Sequence, residues 1–208
     1  MPPPTLILAG GTARRMGGGD KPLLTLGGKT IIQRIIDTLG PNPPPIAISA
    51  NGDPARFQAF GLPVLDDGPF ADHGPLAGVL AGLTWAAERG AESLLTVPGD
   101  TPFVPSNLAA ALTPAPSCAR SAGRSHHLVA LWPVTCRDNL RTFLQGAGSR
   151  QVSRFSAWIS TRPVDFAIDV CDPFLNVNTP EELDRARDLA ERIAQMDRPN
   201  GSGTGEDR

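Results

Sequence analysis

The 208-residue chain carries a formal charge of -2 and a pI near 5.9, so it lacks the basic field that drives sequence-independent nucleic-acid binding. Cys118, Cys136 and Cys171 are widely spaced and form no CxxC pair, which argues against a disulfide framework or a thiolate zinc site and fits a reducing cytoplasm. The N-terminus "MPPPTLILAGG" has no basic segment of the signal-peptide kind, and no apolar run approaches membrane-spanning length, so a soluble, cytoplasmic protein is expected.

Length makes one domain the default, expected over residues 1–196. The 22 glycines and 22 prolines indicate tight connections rather than disorder, because 40% hydrophobic content remains to build a core. Only the stretch "DRPNGSGTGEDR", residues 197–208, reads as a disordered tail. No internal repeat or interdomain linker is visible.

The first strand candidate is "TLILAG", followed by the glycine-rich, cationic segment "GGTARRMGGGDK". Next, "TIIQRIIDTL" places Ile31, Ile32, Ile35, Ile36 and Leu39 on one helical face, with Thr30 as N-cap and Gly40 just past the end. "PIAISAN" and "LPVLDD" are strand candidates, and "GPLAGVLAGLTWAAERG" is a helix with Pro75 in its first turn and Gly90 as its stop. Gly78 and Gly82 within it allow close backbone approach. "SLLTVPGD", "HLVALWP" and "VDFAIDV" complete the strands, while "TPAPSCARSAGRSH" reads as a surface loop over the site. In "NVNTPEELDRARDLAERI", Thr179, Pro180 and Glu182 form a capping box ahead of Leu183, Ala186, Ala190 and Ile193 at helical spacing.

Short, nearly continuous apolar strands imply burial on both faces, and their alternation with helices predicts a Rossmann-like three-layer α/β/α sandwich with a mostly parallel sheet. In such a fold the ligand crevice lies at the carboxyl ends of the strands.

A glycine cluster alone reads as a flexible turn. With Arg14, Arg15 and Lys21 inside it, the segment after the first strand suits a polyphosphate, because backbone N–H groups and cations meet the same oxygens. Two common phosphate motifs fail: Pro22 follows Lys21, so there is no GxxxxGK[ST], and no GxGxxG stands directly before a helix. Asp100, at a strand's carboxyl end, is placed to hold Mg²⁺ against nucleotide phosphates, although an isolated strand-end Asp is also an ordinary turn former. Asn51 and Asp67 end neighbouring strands and would line the same crevice.

His126 and His127, if in a regular strand, point to opposite faces and do not share a metal; they read as loop or rim residues. Trp85, Trp132 and Trp158 read as packing residues, and the charged face of the last helix as solvated.

Through "LAGGTARRMGGGDKPLL", "GPLAGVLAGL", "PGDTPFVP" and "NVNTPEEL", the chain resembles the MobA-type molybdenum cofactor guanylyltransferases, within the nucleotidyltransferases of nucleoside-diphosphate-sugar pyrophosphorylase type. The resemblance implies transfer of GMP from GTP to the terminal phosphate of molybdopterin, or its molybdenum-loaded form, with release of pyrophosphate and with Mg²⁺ as cofactor. It implies that Leu8, Ala9, Gly10 and Gly11 hold the guanosine together with Asn51, with Asp67 near base or ribose. It also puts Lys21 and Arg15 on the phosphates, Asp100 on Mg²⁺, and Asn176 and Asn178 on the pterin side. His126 falls where related chains carry a His-Pro step. Transient contact with molybdenum-insertion and molybdoenzyme chaperone proteins would follow. The alternatives are the same chemistry with CTP, another acceptor such as a sugar phosphate, or a non-catalytic cofactor-delivery protein.

Overall fold

The computed structural model describes residues 2–10, 20–148 and 150–196. Arg14, Arg15, Gly11 and the expected tail at 197–208 therefore lie outside the described residues.

The chain runs through strand β1 (Thr5–Leu8), a short hairpin of β2 (Thr25–Leu26) and β3 (Lys29–Thr30), helix α1 (Ile31–Thr38), β4 (Ile46–Ser49) and β5 (Val64–Leu65). It continues through α2 (Pro75–Ala87), β6 (Ser93–Pro98), α3 (Leu108–Leu112), β7 (Ser117–Ser121) and β8 (Arg124–Pro133). Helices α4 (Arg137–Gln145) and α5 (Val152–Trp158), strand β9 (Arg162–Asp165) and α6 (Pro180–Met196) follow. Seven strands form one sheet in the order β5-β4-β1-β6-β8-β7-β9. All of its pairings are parallel except the two that β8 makes with β6 and β7.

Alternation along the strands divides the core in two. Ile7, Ile46, Ile48, Leu95 and Val97 pack with α1, α3 and α6 on one face. Leu6, Leu8, Ala47 and Leu94 pack with α2, α4 and α5 on the other. This is the expected three-layer sandwich, and it follows from the period-2 side-chain direction of strands buried on both faces.

The local signals at the helix ends hold. Thr30 Oγ1 accepts from Gln33 N at 3.2 Å, capping α1. Thr179 Oγ1 accepts from Glu182 N at 3.2 Å, while Glu182 Oε2 accepts from Thr179 N at 3.1 Å and Asn178 N at 2.7 Å. The box thereby holds Asn178 at the mouth of α6. A Cβ at Gly82 would press into Leu6 and Leu94, and one at Gly78 into Ser49 and Asp67, so α2 lies against the sheet as closely as only glycine permits.

Two expectations are corrected. The stretch "TPAPSCARSAGRSH" is not a surface loop: it holds β7 and the start of β8, with Ser117, Cys118, Ala119 and Ser121 buried. The hairpin turn is Ala122–Gly123, with φ of 47° and 74°. A turn with positive φ at both positions favours Asn-Gly or Asp-Gly, and alanine there hides it from a sequence reading. "VDFAIDV" enters the sheet only through Val164 and Asp165, because its parallel partner β7 ends in that turn and offers nothing to pair with beyond Phe166 N and Arg120 O. Helices α3, α4 and α5 were not foreseen.

Strand β8 is irregular where it matters. Cys118 pairs with Ala130 but Ala119 with His126, so residues 127–129 bulge out of register. The buried Thr96 hydroxyl sits beside this bulge, donating to Leu128 O at 2.7 Å and accepting from Trp132 Nε1 at 2.8 Å. Thr96→Val keeps the shape and orphans both groups. It should cost roughly 1–3 kcal/mol for each buried group left unpaired, measured by denaturant unfolding; a variant as stable as the parent would show that the hydroxyl does not support the bulge.

Candidate functional site

The carboxyl ends of β1, β4, β5 and β6 and the antiparallel start of β8 meet along one sheet edge. They enclose a cleft of about 590 Å³. It is lined by Leu8 and Gly10 after β1, Asn51 after β4, Asp67 after β5, Asp100 after β6, and Arg124 to Val129 of β8. Gly74, Pro75 and Gly78 bring the N-terminus of α2 to the same wall, where its free N–H groups favour negative charge. Lys21, Pro22 and Asn176 complete it.

Its centre is a partly buried charge. The Asp100 side chain is 20% exposed and that of Lys21 22%, with Lys21 Nζ 3.9 Å from Asp100 Oδ2. Lys21 Nζ also donates to Asn178 Oδ1 at 2.5 Å. Gly99 makes room for this arrangement: its backbone lies so close to Pro22 and to the Leu8 carbonyl that a Cβ would clash. Val177 N donates to Asp100 O at 2.9 Å, and Thr101 Oγ1 to Asn176 Oδ1 at 3.3 Å, which brings the Asn176–Asn178 segment against the tip of β6. Burial pushes the Asp100 carboxyl above the usual carboxylate range, outweighing the pull of Lys21 in the other direction.

On the β4 and β5 side, Asn51 and Asp67 grip each other. Asn51 Nδ2 donates to Asp67 Oδ2 at 2.7 Å, and Asp67 N donates to Asn51 Oδ1 at 3.1 Å. Burial raises the Asp67 carboxyl against the opposing effect of its bonds to Asn51 and Ser49. Leu8 and Ala9 are buried, and Ala9 N and Leu8 O are spent on Ser49 O (2.8 Å) and Gly99 N (2.9 Å), respectively. Gly10, exposed beyond them, begins the free edge.

The structure therefore brings Leu8, Gly10, Lys21, Asn51, Asp67, Asp100 and Asn176 to one cleft, with Asn178 attached through Lys21 and Ala9 just behind. Arg15 and Gly11 lie outside the described residues.

Sequence reasoning did not foresee Arg56. Its Nη1 donates to Asp20 Oδ1 at 2.9 Å and its Nη2 to the carbonyl of Asn51, so it ties the segment before Lys21 to the strand end that carries Asn51. No local signal marks this contact between residues 36 positions apart.

His126 and His127 belong to β8 rather than to a loop and both line the cleft, as rim residues would; the bulge that begins between them breaks the regular alternation of the strand. Burial lowers both imidazoles, offset at His126 by Asp172. Among the described residues, no group of three or more His, Cys, Asp or Glu side chains is arranged to hold a metal. Of the tryptophans, Trp132 and Trp85 are buried, whereas Trp158 is 53% exposed over Phe143 and Phe155. The cysteines are free, and burial pushes the Cys136 thiol up to about 12. No helix among the described residues is long and apolar enough to cross a membrane.

Residues 5–161 match the family described as MobA-like NTP transferase domain. A molybdenum cofactor guanylyltransferase of Acidiphilium cryptum is 55% identical over 181 residues, spanning 87% of this chain and 92% of its own length. One from Rhodopseudomonas palustris is 47% identical, spanning 93% and 95%. Among solved structures, molybdopterin-guanine dinucleotide biosynthesis protein A from Archaeoglobus fulgidus superposes with a TM-score of 0.65 at 20% identity, covering 91% of this chain and 99% of that one. A 4-diphosphocytidyl-2C-methyl-D-erythritol synthase from Anaerococcus prevotii gives 0.66 at 12% identity, covering 91% and 96%. The fold is thus shared by proteins named for different nucleotides.

The raised Asp100 carboxyl has a stability consequence. It favours the native state when protonated, so that contribution is present below the ordinary carboxylate pKa and lost as pH rises through the raised native value. Asp100→Asn should therefore be more stable than the parent at neutral pH, with the advantage shrinking as pH falls through the carboxylate range. Thermal unfolding across that range checks it; an Asn variant less stable at neutral pH would mean that Lys21 overcompensates the burial.

Proposed function

The chain belongs to the MobA-like NTP transferase family, and from that premise we propose that it is a molybdenum cofactor guanylyltransferase, transferring GMP from GTP to the phosphate of molybdopterin or Mo-molybdopterin and releasing pyrophosphate. We propose that one nucleotidyltransferase domain over residues 1–196 carries the activity, acting in the reducing cytoplasm that suits three free cysteines.

The observation that carries the reading is the cluster of Asp100, Lys21 and Asn178 at the tip of β6, between the Asn51–Asp67 pair on one side and the start of β8 on the other. The nucleotide takes the β1, β4 and β5 side. Backbone groups of Leu8, Ala9, Gly10 and Gly11 other than the Ala9 N–H and Leu8 carbonyl already bonded within the sheet, with the side chains of Asn51 and Asp67, hold the guanosine, Asp67 accepting from N–H groups of the base or hydroxyls of the ribose. Lys21 and Arg15 meet the phosphates. Gly78 keeps the wall beside Asp67 clear, since any side chain there would press on Ser49 and the carboxylate.

A divalent cation fits the donor set. Asp100 is a hard, mostly buried oxygen donor whose only described ion-pair partner is Lys21, and a hexacoordinate cation is commonly bound through one or two carboxylates plus substrate phosphates. Asp100 would hold Mg²⁺, with Asn176 and Asn178 nearby, and the ion would supply charge neutralisation at the phosphates when bound.

The acceptor phosphate is already ionised at neutral pH, so no strong general base is required. Its oxygen attacks the α-phosphorus of GTP as the bond to pyrophosphate breaks. Lys21 stabilises the charge that builds on the transferring group, and the residues of both walls align the partners. Delivery of the product to molybdoenzymes would entail brief contacts with molybdenum-insertion and chaperone proteins.

Purified protein given GTP, Mg²⁺ and molybdopterin should release pyrophosphate, with CTP a poor substitute. Absence of release would overturn the reading, and preference for CTP would reassign the base. Lys21→Ala should lower the rate roughly 10²-fold or more, the scale of losing one charge-stabilising donor; a rate within about a factor of two of the parent would refute that role.

A further inference from the structure

His126 stands in the cleft at the end of a hydrogen-bonded chain. Ser121 Oγ donates to Asp172 Oδ1 at 2.8 Å and lies 2.8 Å from His126 Nε2. Asp172 Oδ1 is itself fixed by Phe174 N at 2.9 Å, and the Phe174 ring packs 5.0 Å from the imidazole. Ser121 has one hydroxyl proton, already given to the Asp172 carboxylate, so the hydrogen between Ser121 and His126 belongs to Nε2. This selects the neutral tautomer with a lone pair on Nδ1. Nδ1 takes no hydrogen bond among the described residues and, unlike Nδ1 of His127, is not a buried orphan.

The position of His126 relative to Asp100 follows from the sheet. Asp100 ends β6; β1, β4 and β5 lie to one side of it, and β8, carrying His126, lies to the other. If the guanosine occupies the β1, β4 and β5 side, the second substrate meets β8. That step rests on the guanylyl-transfer reading.

We propose that His126 is an acceptor-binding residue, whose Nδ1 receives a hydrogen bond from a ring or amino N–H of the acceptor's nitrogen heterocycle, and that Ser121 and Asp172 are positioning residues that hold the imidazole in that tautomer. An acceptor atom at this point distinguishes a heterocycle bearing N–H groups from a phosphate oxygen, which would need a donor. The contact therefore orients the acceptor with its heterocycle on β8 and its phosphate toward Lys21 and Asp100.

The test uses two variants that separate the ring nitrogens, because Asn places a polar atom near the Nδ1 position and Gln near Nε2. In assays varying molybdopterin and GTP in turn, His126→Gln should raise the molybdopterin KM roughly tenfold, the scale of one lost neutral hydrogen bond. His126→Asn should stay close to the parent, and the GTP KM should be unchanged in both. Ser121→Ala and Asp172→Asn should raise the molybdopterin KM by smaller factors with the same GTP KM. Retention by Gln with loss in Asn, or equal loss for both substrates, would overturn the proposal. Molybdopterin binding, followed by the fluorescence of its pterin, keeps the test independent of turnover. Equal Kd for the parent and His126→Gln overturns the acceptor contact, whereas absence of pyrophosphate release by the parent overturns only the transfer reading.

Discussion

Asp100 keeps its carboxylate at a place water reaches poorly, and much of the surrounding structure answers that fact. A charge withdrawn from solvent must meet a cation or be neutralised. Lys21 arrives from a segment 79 positions earlier and Asn178 from the mouth of α6, and glycine at position 99 lets Pro22, next to Lys21, and the Leu8 carbonyl close on the strand tip. The incomplete compensation is the useful part. A carboxyl that stays above its usual range costs stability in the empty protein, a cost that a further cation beside it would offset.

The same edge shows how one sheet builds two unlike walls for a cleft. A run of parallel strands ends in backbone and in the paired Asn51 and Asp67, which set amide and carboxylate groups along one wall of the cleft. Across β6, the single antiparallel strand of the seven brings its beginning rather than its end to the cleft, and it is this reversal that delivers Arg124 to Val129. Thr96, holding the bulge carbonyl on one side and the Trp132 indole on the other, links the reversal to the core. Arg56 plays a comparable part on the other wall, joining Asp20 to Asn51.

Much was legible from short-range chemistry. The apolar strand before a glycine-rich cationic segment, the Thr30 cap, the Thr179–Glu182 box and the small residues Gly78 and Gly82 each state their role within a few positions of chain. Strand-end polar residues at 51, 67 and 100 converge once the strands are taken as parallel, because parallel strands put all their carboxyl ends on one edge. The comparison with relatives at 47–55% identity then agrees with the resemblance carried by those same motifs.

The sequence by itself determined the three-layer class, the first and last caps and the strand-end residues that line the cleft, because these rest on periodicity and on contacts within one turn of chain. Only the tertiary structure decided where β7 lies, how β8 slips its register and which nitrogen of His126 meets Ser121. Alanine at the hairpin turn conceals the turn, and strand register is an agreement between partners that neither strand encodes alone. The Asp172–Ser121–His126 chain and the Arg56 tie span 51 and 36 positions, beyond the reach of any local pattern. They exist because packing the two layers of helices on the sheet brings those side chains within bonding distance.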